Sequence, residues 1–144
     1  MPDVRLERSN WRDEALSKRH RLWGWDCPAV DLDFVMLEYD KSLPVAVIEY
    51  KNENAKPVDK AHPSMRAMAE LANRAQIPFF VCKYQSRFQW FEVTAMNIIA
   101  IPKISISKKN SKLLLTEEQY VRFLYFLRGR AVPPEVMQDI RKAV

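Results

Sequence analysis

Glycine is almost absent: the 144-residue chain has two, Gly24 and Gly129. A phosphate-cradling P-loop or a dinucleotide-binding GxGxxG turn needs several within a few residues. Neither can be assembled, which excludes nucleotide cofactors held in those ways. Cysteine is as scarce: Cys27 and Cys82 stand far apart with no CxxC spacing, so no disulfide framework or zinc knuckle is expected and a reducing, cytoplasmic setting is. His20 and His62 are too few and too scattered for a histidine-metal nuclease or a serine triad, and no GxSxG elbow occurs. No apolar run approaches the roughly 20 residues that cross a bilayer, and "MPDVRLERSNWRDE" lacks the apolar centre of a signal peptide. Neither membrane insertion nor export is expected.

Apolar residues make up 48% of the chain and aromatics 11%, enough to bury a core and too much for a disordered tail. The length suits one domain, 1–144, and no repeat, low-complexity tract or linker divides it. Lysine and arginine total 23 against 18 acids, a net charge of +5. That balance suits a polyanionic partner.

Val4, Trp11, Ala15 and Leu22 recur at helical spacing, with Arg5, Arg8, Arg12 and Arg19 on another face, predicting an amphipathic helix over 4–22. After "WGWDCP", the runs 30–39 and 44–51 are rich in β-branched and aromatic residues and flank the polar "DKSL", which predicts a β-hairpin. "HPSMRAMAELANRA" predicts a helix over about 64–75, and 78–84 and 88–96 predict two more strands around a tight turn at 85–87. A strand reached through a helical crossover favours parallel pairing, hence a mixed sheet flanked by helices. Residues 102–112 are basic and predict a loop or ragged edge strand. "TEEQ" from Thr116 predicts a capping box, its helix ends at Gly129, and Pro134 opens a last short helix.

The hairpin holds acids where a core strand should have none. Asp31 and Asp33 share a strand face, as do Glu49 and Lys51 on the next strand. Two three-residue turns bring these faces together. Pairing Tyr39 with Leu43 sets Asp33 opposite Glu49 and Asp31 opposite Lys51, whereas pairing Asp40 with Pro44 sets Asp33 opposite Lys51. Two carboxylates with β-carbons about 5 Å apart repel unless a cation offsets them. Oxygen ligands of this kind suit magnesium, which keeps water and substrate phosphate in its other positions. Lys51, about 7 Å further along the face, reaches the same space and can orient a water or stabilise a charged transition state.

Asp33, then Glu49-Tyr50-Lys51 sixteen residues later at the end of an apolar strand, resembles the PD-(D/E)XK nuclease superfamily, over roughly residues 4–100. The resemblance implies an α/β (α+β) fold with a restriction-endonuclease-like αβββαβ core, here with extra C-terminal helices. It implies that Asp33 and Glu49 bind Mg²⁺, with Mn²⁺ as a substitute, that the Tyr50 carbonyl adds a ligand, and that Lys51 assists phosphodiester hydrolysis, in DNA by expectation. No proline immediately precedes either aspartate, so Asp33 is preferred to Asp31 on register; Glu14 is the candidate for the first-helix glutamate that some relatives add. A homodimer that cuts both strands is left open.

Lys103, Lys108, Lys109 and Lys112 form the densest basic stretch and are the candidates for holding a nucleic-acid backbone. Trp23 and Trp25 are read as packing anchors, and Cys82 as a buried strand residue. Two other readings share these features: a nucleic-acid-binding module without cleavage, and a small protein-interaction domain whose acids form surface pairs.

Overall fold

The computed structural model describes residues 14–24, 32–104 and 112–143, apart from the side chains of Glu14 and Ser17. The chain divides into two compact units, Met1–Asp31 and Leu32–Val144. The first contributes α1 (Glu14–Trp23), which overlaps the expected 4–22 helix and runs one residue past its end; residues 4–13 lie outside the described ones. The His20 and Trp23 rings meet at 4.7 Å.

The second unit runs β1 (Phe34–Glu38), a 3-10 turn (Tyr39–Lys41), β2 (Leu43–Asn52), α2 (Pro63–Ala75), β3 (Phe79–Tyr84), β4 (Phe91–Ala95), α3 (Ile101–Ile104), β5 (Lys112–Leu115), α4 (Glu117–Leu127) and α5 (Pro134–Lys142). It is α+β: a five-stranded mixed sheet in the order β1-β2-β3-β4-β5 with helices on its faces. Among the described strands only β2 and β3, joined through α2, are parallel. Among the described residues two strands, not three, lie between α1 and the crossover helix.

The hairpin differs from expectation at its tip. Glu38 pairs with Leu43, so neither expected tip pair forms, and the chain reverses through the 3-10 turn and a left-handed Ser42. A bulge between Met36 and Leu37 leaves Val45 unpaired and restores the offset: Met36 faces Ala46 and Phe34 faces Ile48. Pro44, which has no N–H to give the ladder, sits beside that bulge. The turn between β3 and β4 is also longer than expected. Gln85 Oε1 accepts from the Arg87 and Gln89 N–H groups, which satisfies them inside the loop, and β4 starts at Phe91.

Each sheet face has its own core. β3 is central and buried on both sides, hence its unbroken "FFVC". Ala46, Ile48, Phe80, Cys82 and Val93 pack on one face with Ala100, Ile104, Tyr120 and Phe123 from the α3–α4 side. Val47, Phe79 and Val81 pack on the other against Met65, Met68 and Ala72, the i, i+3, i+7 stripe of α2. His62 caps α2, its Nδ1 accepting from the Ser64 N–H, and the Thr116–Gln119 capping box opens α4 as expected.

Candidate active site

Alternation along β2 sends Ala46, Ile48 and Tyr50 into the α3–α4 core and Val47, Glu49 and Lys51 to the α2 face. β1 ends its pairing at Phe34–Ile48. One residue earlier, Asp33 comes level with Glu49, and its Oδ2 accepts a hydrogen bond from the Tyr50 N–H at 3.0 Å. Lys51 Nζ stands 3.6 Å from Glu49 Oε1. The structure thus brings Asp33, Glu49 and Lys51 together where β2 emerges from the core.

The Glu49 side chain keeps 12% of its exposure against 36% for Lys51. Its Oε2 is buried and has no hydrogen-bond partner among the described residues, an acceptor left unsatisfied at the cost that any orphaned polar group carries. Burial pushes the Glu49 carboxyl above its ordinary range, the negative charge of Asp33 raises it further, and Lys51 opposes both. Lys51 therefore compensates the acids only in part.

Tyr50 points its ring into the opposite face, where its hydroxyl lies 2.6 Å from that of Tyr120; burial raises the Tyr50 hydroxyl to about 12. Its contribution to the acidic side is backbone. The N–H and C=O of one strand residue point to the same neighbour, so the Tyr50 carbonyl shares the edge from which Asp33 approaches. Among the described residues no three or more His, Cys, Asp or Glu side chains are grouped to hold a metal, so the side-chain oxygen donors here are two carboxylates. Asp31 and the side chain of Glu14 lie outside the described residues.

The basic candidates separate. Lys103, on α3, sits over the Phe126 ring at 5.7 Å, on the side of the sheet away from Glu49. Lys108 and Lys109 lie outside the described residues, as does Trp25. Lys112 opens β5 and pairs with Thr94, which pairs with Val81, which pairs with Glu49. One row across four strands therefore links Lys112 to Glu49 on the same face. The adjacent row runs Lys51, Lys83, Glu92 and Leu114. Lys83 was missed in the sequence, although its signal is there: it is the one charge in "FFVCKY", two residues from Val81 and so on the face of Glu49.

No family model matches the chain, and no curated protein or solved structure matches it.

Proposed function

We propose that the chain is a magnesium-dependent nuclease that hydrolyses phosphodiester bonds in DNA, and that the unit from β1 to β3 corresponds to a restriction-endonuclease-like core. The observation that carries this reading is the buried Oε2 of Glu49, without a hydrogen-bond partner among the described residues, beside Asp33 and Lys51. Two carboxylates and a carbonyl edge fit a hard cation that completes its shell with water and phosphate. Asp33, Glu49 and the Tyr50 carbonyl would hold it. Bound there, magnesium supplies an acidified water and neutralises charge on the phosphate.

The residues do the rest. Asp33 is oriented by the Tyr50 N–H, so its free oxygen is presented in a fixed direction. The apolar packing of Val47 and Val81 lowers the local dielectric and strengthens each charge interaction above it. Lys51, about a third exposed, holds a positive charge beside the carboxylates and can both orient the attacking water and stabilise charge on the transferred phosphoryl group.

The test is cleavage of single-stranded, duplex and branched DNA by purified protein with Mg²⁺ or Mn²⁺. The wild type cuts; Glu49→Ala abolishes cutting, and Lys51→Ala lowers it by roughly 10²–10³-fold, the usual loss for one transition-state-stabilising group. Cleavage retained in both folded variants overturns these roles. Salt-sensitive DNA binding with no cleavage under any divalent ion leaves a binding module instead.

A further inference from the structure

On the face that carries Glu49 and Lys51, a pocket of about 250 Å³ opens beside the acidic centre. Its floor is the sheet, at Val81 and at Thr94, itself only 6% exposed. One wall is Val58 with Lys60, from the loop between β2 and α2. Lys83, Lys112 and Glu92 supply the rest of its charge. Three lysines stand against one glutamate, which lies opposite Lys83 in the sheet and pairs with Lys112 at a loose 3.8 Å. The pocket keeps a formal surplus of two positive charges around a hydroxyl-bearing floor.

Position makes the pocket more than a basic surface. Val81 is Glu49's neighbour on β3, Thr94 is next on β4 and Lys112 next on β5. At about 4.8 Å per strand, the pocket therefore spans about 5–14 Å from Glu49, measured across the sheet. Lys83 is likewise the immediate neighbour of Lys51. The volume equals roughly eight waters, room for a phosphate group and part of a sugar but not for a duplex.

We infer that this pocket is a phosphate subsite: Lys60, Lys83 and Lys112 hold a backbone phosphate of the substrate strand next to the one at Asp33 and Glu49, so that a single strand crosses the sheet from β2 towards β5. The assignment rests on the nuclease reading for what happens at Glu49, but the anion site stands on its own geometry. A basic groove that follows the backbone is the common means of holding a single strand.

The experiment measures binding of a fluorescein-labelled single-stranded DNA oligonucleotide to the full chain in EDTA, as a function of salt, beside a magnesium cleavage assay of the wild type. Lys83→Gln/Lys112→Gln, which keeps most of each side-chain stem, should bind roughly tenfold more weakly and flatten the log K against log salt slope by about 0.7, one single-strand phosphate's worth. Glu92→Gln should bind more tightly than wild type, a gain that misfolding does not produce. Lys41→Gln, on the hairpin turn, should change neither. Unchanged affinity and slope in the double variant overturn the subsite whether or not the protein cuts. Wild-type binding without cleavage, weakened in the double variant, overturns the nuclease reading and leaves the subsite standing. No binding by the wild type overturns the subsite, and the absence of cleavage in magnesium as well overturns the nuclease reading with it.

Discussion

Glu49 is held in a place that disfavours its charge, and the consequence has a definite sign. A carboxyl whose folded-state pKa is raised binds protons in the native state that the unfolded chain releases, so stability falls as pH rises from the ordinary Glu value of 4.5 through the raised one. Without metal, Glu49→Gln is therefore expected to melt above the wild type at pH 7, with the gain vanishing below pH 4.5; equal melting temperatures at pH 7 would contradict it. Protons and metal compete for the same oxygens. Magnesium affinity should accordingly weaken as pH falls through the raised Glu49 pKa. Asp33 separates two roles in one side chain: Asp33→Asn keeps an oxygen for the Tyr50 N–H and loses the charge, whereas Asp33→Ala loses both. The asparagine variant, relieved of the repulsion with Glu49, should melt at or slightly above the wild type in EDTA yet gain nothing from magnesium, and the alanine variant, which also orphans the Tyr50 N–H, should melt below the asparagine one.

Between elements, short polar links fix the geometry. Asn97, buried just after β4, accepts from the Phe79 and Ala100 N–H groups and donates to the Ile77 carbonyl, each at 3.0 Å. It pins the start of β3, and through the β2–β3 register the position of Glu49. Asn97→Ala should cost about 2–3 kcal/mol in urea unfolding, because buried backbone groups lose their partners; a loss near zero would mean that water replaces the amide. Thr116→Ala, which removes the side-chain half of the capping box, should cost only about 1 kcal/mol. At the hairpin, buried Glu38 accepts from Arg130 Nε at 2.8 Å and lies 3.6 Å from Arg128 Nε. That pair ties β1 to the segment between α4 and α5, across 92 residues of sequence.

Taken whole, the fold was legible wherever periodicity spoke alone: the hairpin, the crossover helix and the capped helix from Glu117. The inner hairpin register was legible as one of two options. Its tip was not, because a bulge and a left-handed Ser42 are local solutions that alternation does not encode. The burial of Glu38 and Asn97 had no signal in the sequence, since the Arg130 and Phe79 groups they bind are remote along the chain. The lysine pocket was invisible for the same reason: Lys60, Lys83 and Lys112 meet only once the sheet order is known. The acidic centre could be read in advance because all of it falls within one hairpin.

The most direct test of that centre is the melting temperature of the wild type and of Glu49→Gln, each in EDTA and in saturating magnesium. A cation held by the folded state alone, at a hundred times its dissociation constant, stabilises by about 2.7 kcal/mol, several degrees in a chain of this size. The wild type should show that rise and Glu49→Gln should not. No rise in the wild type, or an equal rise in both proteins, would contradict a metal site at Asp33 and Glu49.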